Sequence, residues 1–389
     1  MSERPDLARI LHEFGPRYLD QHALSGTHAK VWRAITACRT STLGGHLAHC
    51  EACGGTRHVY HSCRNRHCPQ CQRRAKEAWL AQRRRELLPV PYFHLVFTLP
   101  HALNGVIAQR SRLLYETLFD AAAATLTAFA ADPRHLGGSL AFTLVLHTWK
   151  QDLGRHVHVH ALVAGGALAA DGAWREPKRG FLFPVKALSR LFRGKFIIAL
   201  QQHHDAGALP AMAHAPWQAL QAQLYRHDWV VYAKQPLGGP EQVLEYLGRY
   251  THRVAISNER IVGIDAQAVA FRVRANQEGE GDGKRRTIRL EGGEFIRRFL
   301  LHVLPPGFKR IRHYGLLAPA HKRERLAQAR TALQQPAPDP VVAESVAQFL
   351  QRIAQLDIQR CPCCGHVGLR LTPLPPVKRM SPPATRGPP

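Results

Sequence analysis

Apolar residues recur at helical spacing near the start of the chain, at Leu7, Ile10, Leu11 and Phe14 and again at Val31, Ile35 and Cys38, which predicts a helical opening of about 45 residues. "QRRAKEAWLAQRRRELL" predicts an arginine-rich helix that ends before Pro89. "PYFHLVFTLP" is a continuous apolar run bounded by prolines and predicts a buried strand, and "SRLLYETLFDAAAATLTAFAA" predicts a helix. "LAFTLVLHTWKQ" predicts a second strand, and the short "DLGR" joins it to the third, "HVHVHALVAGG", as a hairpin. Successive side chains of a strand point to opposite faces, so His156, His158 and His160 share one face while Val157, Val159 and Ala161 share the other. One face is apolar. The other is either a row of ligands or a set of solvated imidazoles.

Beyond the hairpin, Phe181 to Leu200 predicts a short strand and a helix, while residues 201 to 225, rich in His, Ala and Gln, show no clear period. "WVVYAKQPL" predicts a strand, and Gly239 and Pro240 mark the start of a helix over "GGPEQVLEYLGRYTHR". Three short strands follow, "VAIS", "VAFRVR" and "TIRL", the last two separated by the polar turn "NQEGEGDGKRR", and then a helix over "EFIRRFLLHVL". The proline load of the tail "PLPPVKRMSPPATRGPP" predicts an extended or disordered end. No internal repeat is visible.

At 389 residues the chain exceeds one typical domain and can bury a sizeable core. Charge changes the picture more than size does. The 53 Lys and Arg against 28 Asp and Glu give a formal net charge of +25, with a pI near 10.4, and point to a polyanionic partner, nucleic acid before any other. No apolar run is long enough for a membrane span and "MSERPDLARI" lacks the apolar core of a signal peptide, so a cytoplasmic, nucleoid-associated protein with no membrane partner is expected. The nine cysteines fall in two knots with Cys38 alone, a distribution that suits metal binding in a reducing compartment better than disulfides.

Cys50-x-x-Cys53 and Cys68-x-x-Cys71 are two knuckles of the kind that bring four thiolates to one tetrahedral zinc. All four knuckle cysteines are the expected ligands of one structural zinc, with Cys63 replacing one of them as the main alternative and His58 and His67 as competitors. The C-terminal "CPCCGH" offers Cys361, Cys364 and His366, only half a site unless other residues join it. The histidine strand suits a different ion, a divalent one that keeps positions open for a phosphate oxygen. Its third ligand is expected from the hairpin partner, where His147, Trp149 and Gln151 share a face. Gln151, nearest the turn, is preferred over His147 and His94.

In "EQVLEYLGRYTHRVAISN" the spacing of Tyr246 and Tyr250 stacks two phenols on one helix face, a pattern that in isolation is ordinary packing. Together with H-x-H and the basic, cysteine-bearing N-terminus, it makes the chain resemble the rolling-circle insertion-sequence transposases of the IS91 family, two-tyrosine members of the HUH endonuclease superfamily. The resemblance is carried, over roughly residues 20 to 315, by "CEACGGTRHVYHSCRNRHCPQC", "HTWKQDLGRHVHVHALV" and "YLGRYTHRVAISNERI" in that order. It implies that His158 and His160 are the metal-binding histidines of the HUH motif, with His156 just outside it. It also implies that Tyr246 and Tyr250 are the nucleophile pair, and that cleavage leaves a 5′-phosphotyrosine and a free 3′-hydroxyl.

The reading that follows is an α+β protein with three parts: a zinc-binding, basic DNA-binding module over residues 1–90, an antiparallel-sheet catalytic domain over 91–315, and a C-terminal extension over 316–389. The sheet is expected to carry the histidine strand at its centre and the tyrosine helix on one face. Mg²⁺ or Mn²⁺ is the expected ion at the histidines and Zn²⁺ at the cysteines. Single-stranded DNA at transposon ends, and target DNA, are the expected partners. Arg64, Arg66, Arg73, Arg74, Lys76, Arg83, Arg84, Arg85 and Arg253 are the expected phosphate contacts, unless they form a merely solvated charged face. A non-catalytic zinc-ribbon protein that binds nucleic acid would need neither Tyr246 nor His158. A related HUH replication initiator or relaxase is a second alternative, disfavoured by the tyrosine pair and the lack of a helicase P-loop motif.

Overall fold

The computed structural model describes residues 5–177, 182–237, 242–243, 248, 255–274, 285–338, 344–354 and 357–377. The chain opens with helices α1 (Leu7–Glu13), α2 (Gly15–Gln21) and α3 (Gly26–Thr36), strands β1 (Gly45–Cys50) and β2 (Thr56–Tyr60), and helix α4 (Pro69–Arg84). Strand β3 (Tyr92–Thr98), helices α5 (Asn104–Gln109) and α6 (Ser111–Ala131), the hairpin β4 (Gly138–Trp149) and β5 (Arg155–Ala169), and the short β6 (Trp174–Arg175) come next. Helices α7 (Val185–Asp205) and α8 (His214–Arg226) lead to strands β7 (Val231–Leu237), β8 (Ile261–Ile264), β9 (Ala268–Arg274) and β10 (Arg285–Glu291). Helix α9 (Gly292–Leu300), strand β11 (Ile311–Gly315), helices α10 (Lys322–Ala332) and α11 (Val346–Ala354), and strand β12 (Leu369–Leu374) complete it.

The largest sheet has the order β11-β4-β5-β3-β7, with β6 added to β5, so the histidine strand lies in the middle. Its strand pairings are antiparallel. Strand alternation separates its two faces. Val157, Val159, Ala161 and Val163 of β5 share one face with Phe93, Leu95 and Phe97 of β3 and pack with Phe192 and Phe196 of α7 and Leu118 and Phe119 of α6 in the main core. Phe97 and Phe192 meet edge to face at 5.1 Å, and each fully buried ring of this kind contributes about 2–3 kcal/mol. The opposite face carries His158 and His160 toward one end. Toward the other, Leu162 and Ala164 are covered by Val243 and by Leu326 and Ala329 of α10.

A second core joins distant parts of the chain. Leu7, Ile10 and Phe14 of the N-terminal helices, with Trp32 and Ile35 of α3, pack against Phe271 of β9 and Phe295, Ile296 and Phe299 of α9. Asp6 caps α1 by accepting from the Arg9 N–H at 2.8 Å, and Glu291 caps α9 by accepting from Glu294 N–H at 2.8 Å. Leu153, in the tip of the β4–β5 hairpin, is buried in the same core. β10, β9 and β8 form a second sheet in that order, and a third, small sheet has the order β12-β1-β2.

The antiparallel sheets, the hairpin and the helical opening agree with the sequence pattern. Other elements differ. "VAIS" forms no strand over its described residues, since Ala255 and Ile256 are buried in a loop of the second core. The strand is instead Ile261–Ile264, joined to β9 by a turn in which Asp265 accepts from the Gln267 and Ala268 N–H groups at 3.1 and 3.0 Å. Residues 201 to 225 resolve into the end of α7 and most of α8, and Leu182 and Phe183 form no strand. The tail begins as an ordered strand, because Pro373 and Leu374 pair with His46 and Gly45. The expected tyrosine helix falls almost entirely outside the described residues, although Gln242, Val243 and Gly248 are helical.

β11 reaches β4 through Gly315, which has a φ of +59° and no room for a Cβ beside the Leu140 carbonyl. We expect Gly315→Ala to lower unfolding free energy by about 2 kcal/mol or more, read as a reduced urea midpoint, from left-handed strain and the forced shift of β11.

Candidate functional site

The β4–β5 ladder sets His147 directly opposite His158, with His160 one step along the same face. His160 Nε2 lies 3.0 Å from His147 Nδ1 and 3.2 Å from His158 Nε2. Two of the remaining ring nitrogens have partners: His158 Nδ1 lies 3.0 Å from the His156 carbonyl and donates to it, and His160 Nδ1 lies 2.9 Å from His94 Nε2 of β3. With protons on Nδ1 of His158 and His160, both Nε2 lone pairs face the space shared with His147 Nδ1. Two nitrogens each about 2.1 Å from one ion and at right angles to it sit about 3.0 Å apart, so the donor set fits a cation. Burial pushes His158 down to about 3, which keeps its imidazole neutral, the form that ligates metal.

Gln151 does not join this group. The last paired residues of the ladder are Trp149 and Arg155, so Gln151 lies beyond the strand, in the turn, and its carbonyl accepts from the Arg260 guanidinium. His147 replaces it, and Trp149 stacks on His147 at 4.6 Å. His302 holds the hairpin tip from the other side, with Nδ1 3.1 Å from Thr148 Oγ1 and Nε2 donating to the Leu153 carbonyl at 2.8 Å. His156 instead faces His101 at 3.3 Å.

The four knuckle cysteines divide between two clusters, which corrects the expectation of a single site. Cys68 and Cys71 join Cys38 and Cys63, and Cys50 and Cys53 lie beside Cys361 and Cys364. Cys63, weighed as a replacement, is a full member of the first cluster. Cys38, read as solitary, is another. In that cluster Cys71 Sγ is 3.6 Å from the sulfurs of both Cys38 and Cys63. Tetrahedral zinc about 2.3 Å from each sulfur places them about 3.8 Å apart, so these thiols fit zinc. The Cys63 N–H points at Cys38 Sγ and the Asn65 N–H at Cys63 Sγ, each at 3.5 Å. Cys68 is the N-cap of α4, where a thiolate is favoured. Neither His58 nor His67 is in the cluster. Cys38 was recognisable in principle as the one cysteine left to complete a set of four with Cys63, Cys68 and Cys71.

The expected phosphate contacts separate into two kinds. Arg64 and Arg84 are exposed. Arg66 instead donates to the carbonyls of Pro305, at 2.9 Å, and Phe308. Arg83 is buried against Glu86 at 2.8 Å and His313 of β11 at 3.0 Å, with Trp79 beneath it. These two arginines are engaged by the protein itself, Arg83 through its contact with the edge strand β11. Arg85 is half-buried, and Lys76 lies against Glu77 and Gly248. The side chains of Arg73 and Arg74 lie outside the described residues, as do Tyr246, Tyr250 and Arg253.

Residues 141–325 match the family model described as "Putative transposase", and residues 10–99 match the one described as "Transposase zinc-binding domain". The chain is 44% identical over 380 residues to the "Putative transposase y4qJ" of Sinorhizobium fredii (strain NBRC 101917 / NGR234), covering 95% of this chain and 94% of that one. It is 26% identical over 361 residues to the "Transposase for insertion sequence element IS801" of Pseudomonas savastanoi pv. phaseolicola, covering 89% and 84%. Among solved structures it is similar to the conjugative relaxase TrwC in complex with oriT DNA. The metal-bound form gives 14% identity, TM-score 0.22, and 42% of this chain against 74% of that one. The copper-bound form gives 16%, 0.21, 41% and 71%. A likeness this distant bears no weight.

These matches, with the cysteine clusters, define the class as a DNA transposase with its own zinc-binding domain. The chain belongs to the IS91 family of transposases. No helix among the described residues is long and apolar enough to cross a membrane.

His94 touches His160 on the side away from the shared space, so it orients this imidazole without meeting an ion. His94→Ala is expected to weaken Mn²⁺ binding about 10- to 100-fold in a calorimetric titration, with the fold retained by circular dichroism.

Proposed function

We propose that this transposase nicks and rejoins single-stranded DNA at the ends of an insertion sequence by rolling-circle transposition, through a 5′-phosphotyrosine link. The observation that carries the reading is the convergence of His147 Nδ1, His158 Nε2 and His160 Nε2 in the middle of the central sheet. Two buried imidazoles, His147 and His158, and the half-buried His160, with lone pairs aimed at one space, are unfavourable unless a cation or shared protons occupy it. When bound, a divalent ion there would withdraw charge from a scissile phosphate and offset the negative charge that develops on it. Mg²⁺ and Mn²⁺ are the expected ions, and the all-nitrogen donor set favours Mn²⁺ of the two.

The nucleophiles in this reading are Tyr246 and Tyr250. A phenol with a pKa near 10 is a weak nucleophile at neutral pH, so attack relies on a phosphate already held and polarised. The tyrosyl oxygen bonds to phosphorus as the bond to the 3′ oxygen breaks, and the phenolic proton ends on that oxygen. The phosphoester energy is conserved in the tyrosyl link, so the 3′-hydroxyl can later reverse the step without ATP. Val243, three residues before Tyr246, is wholly buried with Leu162 and Ala164, the residues that continue the histidine face of β5. This supports a segment docked on the correct side of the sheet. Two phenols allow one to hold the first 5′ end while the other attacks a second strand.

The experiment uses labelled single-stranded DNA from the element's end with Mg²⁺ or Mn²⁺, and scores the covalent adduct on a denaturing gel. The Tyr246→Phe/Tyr250→Phe double variant is expected to form none, since Phe keeps the ring and removes only the hydroxyl. Each single variant retains nicking but loses transposition in cells. His147→Ala, His158→Ala and His160→Ala are each expected to slow adduct formation at least about 100-fold with single-strand binding largely retained, because binding rests on distributed phosphate contacts. Gln151→Ala stays near the parent rate. An adduct from the double tyrosine variant, or parental rates from the histidine variants, refutes the mechanism and leaves the non-catalytic reading.

A further inference from the structure

The third sheet is assembled from both ends of the chain. β12 pairs with β1 from Gly45↔Leu374 to Cys50↔Leu369, and β2 pairs with the other edge of β1. At one end of this sheet, two turns of identical construction face each other. In the first, Gly54 N–H donates to the Cys50 carbonyl at 2.8 Å and Cys50 N–H to the Gly55 carbonyl at 2.9 Å. In the second, Gly365 N–H donates to the Cys361 carbonyl and Cys361 N–H to the His366 carbonyl, both at 2.9 Å. Gly54 and Gly365 have φ of +70° and +73°, the left-handed conformation that this C-x-x-C-G turn requires.

The turns present their sulfurs to one another. Cys50 Sγ lies 3.7 Å from Cys364 Sγ, and Cys53 Sγ 3.7 Å from Cys361 Sγ; the four thiols all lie within 4.8 Å of one another. This spacing is far beyond the disulfide length of about 2.05 Å and close to the roughly 3.8 Å edge of a tetrahedral zinc–thiolate site. The sheet has little else to hold it. β2 is exposed from Thr56 to Val59, and β12 is exposed from Arg370 to Pro373. An isolated three-stranded sheet with so small an apolar face is marginal in water.

We propose that Cys50, Cys53, Cys361 and Cys364 bind a second structural zinc, closing a ribbon that clasps the C-terminal segment to the N-terminal one. This site is separate from the Cys38 cluster, and half of its ligands lie far beyond the zinc-binding match, which ends at residue 99. It is also independent of the histidine site. Cys363 is exposed and belongs to neither cluster.

Zinc content and thiol reactivity of the full-length protein test the proposal. Metal analysis of the parent is expected to give two zinc ions per chain, one of them lost in Cys361→Ser/Cys364→Ser and the other in Cys63→Ser. A variant that fails to fold is bypassed by a measurement on the parent alone. Cys53, Cys363 and Cys364 are all exposed, so with the site unligated three thiols would react quickly with a small disulfide reagent. With zinc bound, only Cys363 does, and chelation releases the others. One zinc per chain in the parent, two retained in the Cys361→Ser/Cys364→Ser variant, or rapid modification of Cys53 and Cys364 in the zinc-replete protein each overturns the proposal.

Discussion

The arrangement of the candidate catalytic site depends on one register, that of His147 opposite His158 in the β4–β5 ladder. A slip of one residue would turn β5 over, sending His158 and His160 into the core against α6 and α7 and the valines to the other face. Two constraints oppose that slip. The first is the apolar face itself, with Val157, Val159, Ala161 and Val163 at 0–1% exposure. The second is the hairpin tip, which is built into the second core. Leu153 adopts a φ of +64° with its side chain wholly buried. The Asp152 carbonyl accepts from Arg298 at 3.0 Å, and His302 bridges Thr148 and the Leu153 carbonyl. The N-terminal helices complete that core, so residues remote from the histidines in sequence help to fix them in space.

Helix α4 carries a second mechanical link. Its first turn begins at Cys68, within the Cys38 cluster. Its middle meets Gly248, where an added Cβ would lie 2.8 Å from Lys76 and 3.1 Å from Leu80. At its end Arg83 reaches His313 on β11, while Glu86 just beyond pairs with Lys322 of α10 at 2.6 Å. A rigid helix moves as one body over these roughly 25 Å. The thiolate cluster therefore fixes the origin of a bar that lies along the histidine side of the sheet. This gives a zinc-binding module a part in positioning the site without contributing a ligand to it.

How much of this was legible in the sequence follows from the range of each signal. Period-two alternation is local, and it disclosed the histidine face, while the short joint disclosed the hairpin; the central place of β5 came only with the family resemblance. Prolines likewise bounded β3, and apolar period marked α6, while the Arg-rich helix, expected to run to Pro89, begins earlier at Pro69 and ends at Arg84. What failed to read through depended on partners far along the chain. The C-x-x-C knuckles announce zinc, but which knuckles share an ion depends on the pairing of β12 with β1, across more than 300 residues. Proximity in sequence favoured joining Cys50 and Cys53 to Cys68 and Cys71, and the tertiary fold joined them to Cys361 and Cys364. The choice between His147 and Gln151 turned on where the ladder ends, a matter of two residues that strand propensity does not resolve. β11 was missed because "IRHYG" borrows its strand character from pairing with β4, not from its own composition.

The basic charge was the clearest compositional signal, yet it points to DNA less directly than its size suggests. With 53 cationic side chains and only 28 carboxylates, at least 25 cations have no acid of their own to pair with. Several turn instead to backbone carbonyls: Arg66 to Pro305 and Phe308, Arg155 to Asn104, and Arg260 to Gln151. Five donors in a planar fork suit such work, and lysine would do it less well. These guanidiniums keep their charge, so they add to the long-range field that draws a polyanion toward the protein. They are already engaged, however, and give little to direct phosphate contact. Steering can thus draw on the whole excess of charge, while direct phosphate contact needs groups left exposed, as Arg64 and Arg84 are. The salt dependence of binding counts only the second set, because counterions are released where phosphates are touched.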